Sequence, residues 1–268
     1  MILTSFFFMA VAATFFTSLS AGIIGSYVVV KRIVFISGSI AHSVLGGMGL
    51  FLFLNKTYNL PWLSPTYGAL LFAILSAIII GWIHLKFSER EDTVIGAIWA
   101  SGMALGVIFI SLTPGYTPEL LHFLFGNILW TTPVDLLRLG ILAGIIIIFT
   151  LIFHKKFLAI CFDERQAYLQ KIPVVPLYFL LLSLVALTTV LLIQVIGAIL
   201  VIAALTLPPA IAGRYTSNLK IMMLLAIFIG FALSLLGLFL SFGLNLPPGA
   251  TIALTTTTAY LVNLYFTK

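Results

Sequence analysis

The chain has 268 residues, of which 62% are hydrophobic and only 7% charged, with a mean hydropathy of +1.25 and a net charge of +6. A soluble domain carries about 25% charged residues, so the composition excludes one and points to an all-α, polytopic membrane protein. A β-barrel is excluded because its strands alternate apolar and polar residues, whereas these runs are continuous, and the basic excess reads as an orientation signal, not a nucleic-acid surface.

Apolar runs bounded by charge or Pro/Gly clusters predict nine spans in one membrane domain covering 1–268: 5–30, 33–54, 67–84, 93–112, 134–153, 174–193, 195–213, 221–243 and 250–266. The count is eight if the sixth and seventh run on as one, since only Gln194 and Gly197 separate them. The first run has no basic n-region and is too long for a signal h-region, so it reads as a membrane helix. With the N-terminus outside, Lys31, Arg32, Lys86, Arg90, Lys155, Lys156, Arg165, Lys171, Arg214, Lys220 and Lys268 lie in the cytoplasm, and only Lys56 and Arg138 lie outside. The C-terminus is then cytoplasmic.

The second run contains IVFISGSIAHSVLGGMGL (33–50), with three serines, four glycines and His42. Gly38, His42, Gly46 and Gly49 share one helix face. The small residues let another helix approach. An imidazole in hydrocarbon normally faces the protein interior or a water-filled path. Nine residues at 1.5 Å put His42 about 14 Å deep, near mid-membrane. His42 therefore reads as a path contact or as a packing histidine bonded to a neighbouring carbonyl.

The loop 55–66 is rich in Pro and aromatics, as suits an interface. ELLHFLFGNILW (119–130) is apolar but too short to cross, and Pro114, Pro118 and Pro133 fence it off. It reads as a short outer-side or re-entrant helix, with His122 as a candidate metal contact. The longest cytoplasmic segment, about 155–172, contains Phe162, Asp163, Glu164 and Ala167. It reads as a solvated connector or as a docking knob whose buried face is Phe162 and Ala167. Pro208 and Pro209 are expected to bend the seventh span. Thr255–Thr258 are expected to bond back to their own helix.

Cys161 is the single cysteine, so no intrachain disulfide and no cysteine metal cluster can form. No Gly-Lys pair occurs, so the chain carries no P-loop of its own. All seven carboxylates lie in loops or at span ends. An ion-coupled carrier usually holds one at mid-membrane. Energy for uphill transport must therefore come from elsewhere, and the chain is not expected to be an enzyme.

Six stretches in order resemble permease subunits of the zinc/manganese/iron ATP-binding cassette importers, the ABC-3 family: Val34–Gly47, Glu91–Val107, His122–Leu136, Cys161–Val174, Val195–Ala212 and Leu244–Leu254. Together they cover most of the chain. The resemblance implies a homodimer with a path on its twofold axis, in the bacterial cytoplasmic membrane. Two copies of a separate ATPase subunit, which bind the ATP, would sit beneath it, and an extracytoplasmic binding protein would deliver the metal ion. No cofactor is implied for the chain itself. The family's coupling helix falls on Phe162–Ala167 and its path histidine on His42. The aspartate four residues before that histidine becomes Gly38, and another in the outer turn becomes Asn245. Oxygen donors beside His42 would then come from Ser39, Ser43, backbone carbonyls or water. Alternatives are a metal chelate or siderophore as cargo, or a scaffold subunit that transports nothing.

Overall fold

The computed structural model describes residues 2–86, 91–115, 123, 126 and 128–266. Among them there is no strand. The helices are α1 (Ile2–Val30), α2 (Val34–Tyr58), α3 (Pro65–Lys86), α4 (Glu91–Leu112), α5 (Pro133–Phe162), α6 (Glu164–Leu169), α7 (Val174–Ala212), α8 (Leu219–Leu244) and α9 (Pro248–Phe266). Seven of them are long and apolar enough to cross a membrane. The 19-residue α9 is diluted by its threonines, and Thr255, Thr256 and Thr257 each donate to a carbonyl one turn back at 2.8 Å.

Helix α7 has 39 residues, and a straight helix of that length would be about 58 Å long, twice a hydrocarbon core. It is not straight. Gly197 has φ 79° and ψ 159°, outside any helix and open chiefly to glycine. Near one end of α7, the Tyr178 ring lies 5.8 Å beneath the Lys31 ammonium. Near the other, a Cβ on Gly25 would stand 2.1 Å from the Leu205 carbonyl oxygen. Tyr178 and Leu205 would be about 40 Å apart in a straight helix, whereas Gly25 and Lys31 are only about 9 Å apart along α1. The chain therefore doubles back at Gly197. Limbs 174–196 and 198–212 are thus separate helical segments, near the expected 174–193 and 195–213, and counting them apart and adding α9 brings the long helical segments among the described residues to nine.

Helix α7 is the centre of the bundle and packs on α1, α2, α3, α5, α8 and α9. Leu181, Val185, Val190, Val201 and Leu205 on it are fully buried. The segment before α5 reaches its turn. A Cβ on Gly126 would stand 2.3 Å from the Gly197 nitrogen, and Phe123 and Ile128 are buried in the core. A second tight seam joins α2 to α3 and α4. Cβ atoms on Gly47 and Gly68 would each lie 2.1 Å from the other's carbonyl oxygen. On Gly46 and Gly49 they would lie 2.9 and 2.7 Å from the Gly102 and Gly106 oxygens of α4. Gly38 is different: a Cβ there would meet Trp99 at 3.5 Å, an ordinary contact. The packing expected of Gly38 is therefore not enforced by space.

Local chemistry sets the ends. Thr132 caps α5 reciprocally with Asp135, with Pro133 in the first turn. Asn59 and Asn245 end α2 and α8 in the left-handed region at φ 52° and 54°, each amide donating to the carbonyl four residues back. Two substitutions test the seam. Gly68→Ala forces α2 and α3 apart and should lower the melting temperature in detergent by about 3–10 °C. Gly38→Ala should leave it unchanged, and equal shifts would contradict the packing described.

Candidate functional site

His42 stands in the third turn of α2 and is half-buried. Its ring stacks on Trp99 of α4, with centroids 4.3 Å apart and planes 13° from parallel. Its Nδ1 is out of contact with solvent and has no hydrogen-bond partner among the described residues. In hydrocarbon such a nitrogen is costly, so the bland alternative of a histidine satisfied by a neighbouring carbonyl does not describe Nδ1. Both rings line a cleft of about 740 Å³ between α2, α4, the second limb of α7 and α9. The rest of the wall is mostly apolar, including Ala198, Ile202, Ala253 and Leu254. Two hydroxyls reach it, from Thr206 and Thr257. Each already donates to its own helix, to the Ile202 and Ala253 carbonyls at 2.7 and 2.8 Å, but keeps lone pairs.

The serines expected to supply oxygen lie elsewhere. Ser39 is fully buried and donates to the Ile95 carbonyl of α4 at 2.9 Å. Ser43 donates to the Ile40 carbonyl at 2.9 Å and accepts from Ser76 of α3 at 2.8 Å. Both tie helices together and neither lines the cleft. The available oxygens are those of Thr206 and Thr257, which spacing did not single out because they lie on other helices. Trp99 was also missed. The only signal for it was an aromatic in the EDTVIGAIW stretch, and no local pattern says that it meets His42. His122 lies outside the described residues. Among the described residues no group of three His, Cys, Asp or Glu side chains could hold a metal ion.

At one end of the bundle, α6 follows α5 after a single residue. Asp163 makes that corner. It ends α5 with an extended backbone, and its carboxylate accepts from the Gln166 amide at 3.0 Å to cap α6. Phe162, Tyr168 and Leu169 are exposed. Ala167 is only 1% exposed within the chain itself, so it seats α6 against its own bundle and cannot be part of a docking face. Glu164 faces inward too. It pairs with Lys31 at the end of α1, and with His84 near the end of α3 at 3.5 Å. The hydrogen bond from His84, then the Lys31 ammonium, hold its carboxyl down to about 2 against the effect of burial. Lys31 also donates to the Ile160 carbonyl of α5 at 2.9 Å, and the His84 ring lies 4.8 Å from Tyr178 of α7. One small cluster thus fastens α6 to α1, α3, α5 and α7.

The comparisons with known proteins agree along the chain. A protein of Chlamydia trachomatis described as a "probable metal transport system membrane protein" is 49% identical over 96% of this chain and 87% of its own length. The manganese import system permease protein ScaB of Streptococcus gordonii is 34% identical over 91% of this chain and 85% of its own. The fold matches a solved structure of PsaBC from Streptococcus pneumoniae in complex with a Fab, at TM-score 0.84 and 31% identity over 97% of this chain and 91% of that one. The model of the ABC 3 transport family matches residues 4–267, and the chain belongs to that family.

Proposed function

We propose that this chain is the permease subunit of an ATP-binding cassette importer for a divalent transition-metal ion: manganese, zinc or iron. The observation that carries the proposal is His42, a mid-membrane imidazole with an unsatisfied nitrogen on the wall of a cleft. The manganese permease named above, 34% identical, supports it. Two copies of the chain would face each other across their His42 clefts. The site between them would offer two imidazole nitrogens, with threonine hydroxyls or water as further donors. Imidazole accepts all three ions, and the missing carboxylate at Gly38 makes the site softer and weaker than an Asp–His pair. A weak site suits a path, since the ion has to leave. An extracytoplasmic binding protein would load the outer mouth.

The energy comes from a separate ATPase pair docked at the end of the bundle that carries α6, which we take as the cytoplasmic end. Phe162, with Tyr168 and Leu169 beside it, is the apolar knob that enters the ATPase. Asp163 holds the corner, and Glu164 carries the movement inward through Lys31 and His84. The mostly apolar wall of the cleft favours one second reading, a metal chelate as cargo.

Uptake into vesicles holding the permease with its ATPase tests the path. His42→Ala should lower ATP-driven uptake of one of Mn²⁺, Zn²⁺ and Fe²⁺ at least about tenfold, the loss of one good ligand interaction, with the complex still assembled. Unchanged uptake would overturn the assignment of His42. ATP hydrolysis without uptake of any free ion would favour the chelate. A second pair of variants tests coupling. Phe162→Ala should reduce the ATPase that co-purifies. Glu164→Gln should leave assembly intact but lower the ions moved per ATP hydrolysed, and an unaltered ratio would remove Glu164 from the coupling route.

A further inference from the structure

A second cleft, of about 720 Å³, opens between α1, α5 and α8 and has no residue in common with the His42 cleft. Its lower wall is apolar, with Ile23 from α1, Ile147 from α5, and Met223 and Ile227 from α8. Its rim is basic: Lys155, Lys156 and Lys220 border it, and none of the described residues lining it is acidic. His154 lines the cleft beside them, its Nδ1 hydrogen-bonded with the Tyr27 hydroxyl at 2.9 Å. The Lys156 ammonium is steadied 5.6 Å above the Phe153 ring.

The levels matter as much as the charges. Helix α5 starts at Pro133, and twenty residues at 1.5 Å span a hydrocarbon core of about 30 Å. Residues 154–156 therefore emerge at headgroup height. Helix α8 begins at Leu219 and runs the other way, so Lys220 in its first turn comes to the same height. Below that line the groove continues to Ile147 and Ile227, roughly 10–12 Å into hydrocarbon. Thr150 lines the cleft between the two levels, and its hydroxyl is out of contact with solvent and has no hydrogen-bond partner among the described residues. Cations at headgroup height, an unsatisfied donor one to two turns deeper and an apolar channel beneath follow the order of a phospholipid: phosphate, ester carbonyls, acyl chain.

We propose that this cleft holds an anionic phospholipid. Its phosphate lies against Lys155, Lys156 and Lys220, and one acyl chain fills the groove. A zwitterionic lipid would bring a cation of its own to the same rim and bind less well. The site is independent of what the permease transports, so its failure would leave the transport reading untouched.

The full-length chain, released from nanodiscs of equal phosphatidylglycerol and phosphatidylcholine, is analysed by native mass spectrometry for retained lipid. Each basic residue near an anionic surface contributes about fivefold in binding. Lys155→Gln/Lys156→Gln/Lys220→Gln should therefore lower the retained ratio of phosphatidylglycerol to phosphatidylcholine by about tenfold or more. Arg165→Gln, at the same end of the bundle but outside the cleft, should not change it. Ile227→Trp fills the groove with the charges in place and should displace the lipid. An unaltered ratio in the triple variant overturns the proposal. So does release of the lipid by excess inorganic phosphate, which would make the site one for the free anion. A change of oligomeric mass without loss of lipid would assign the face to a second copy of the chain and overturn it as well.

Discussion

A polar group inside hydrocarbon has no water to turn to, and this bundle is shaped by that deficit. The backbone answers with helices, and where a helix is interrupted a neighbour covers the exposed polar atoms. Pro209 has no N–H to offer the Leu205 carbonyl, and α1 brings Gly25 directly against that oxygen. Gly197 breaks α7, and Gly126 packs into the break. Buried threonines bond back to their own helices. Against this habit the exceptions stand out. Nδ1 of His42 and Oγ1 of Thr150 have no hydrogen-bond partner among the described residues, and both residues line clefts. Ser20 and Gln194 share the condition, and Gln194 lies one turn before the break at Gly197.

The spans were legible because hydropathy over twenty residues is a property of the sequence itself. The break at Gly197 was legible because Gln and Gly interrupt an otherwise unbroken apolar run. The short helix expected over Phe162–Ala167 forms over Glu164–Leu169, because Asp163 is extended and caps it, which leaves Phe162 as the last residue of α5. Periodicity fixes which residues share a face of one helix. It does not say which neighbour that face meets. Ser39 and Ser43 sit within four residues of His42, yet each is turned toward another helix, α4 or α3. Trp99 is 57 residues from His42 in sequence and stacks on it. Of the two residues expected on one buried face of this segment, Ala167 is buried against its own bundle, whereas Phe162, the last residue of α5, is exposed.

The same limit hid the cluster around Glu164. Lys31, His84 and Glu164 each look like loop-end charges in sequence. Brought together they form a polar joint, where a carboxylate, an ammonium and an imidazole meet at the ends of five helices. A joint of this kind suits transmission better than an apolar contact does, because charge-assisted bonds are directional and cannot slide. Movement of α6 must therefore carry α1 and α3 with it or break the pairing. Helix α3 in turn packs on α2 through the Gly47–Gly68 seam, and α2 carries His42. From the corner at Asp163, close contacts thus run through Glu164, His84 of α3 and the Gly47–Gly68 seam to the helix that carries His42.

Charge bookkeeping then explains why the second cleft is positive. The chain has seven acidic residues against thirteen basic ones. Among the described carboxylates, Asp135 is committed to its cap and to Arg138, Asp163 to the corner of α6, and Glu164 to Lys31 and His84. None of them lines the rim formed by Lys155, Lys156 and Lys220. Orientation by itself would be served by basic residues scattered over any loop. Three that converge from two antiparallel helices on one groove are more than orientation needs. A rim of that kind keeps its cations solvated on the side away from the membrane and leaves their near side to whatever anion the leaflet supplies.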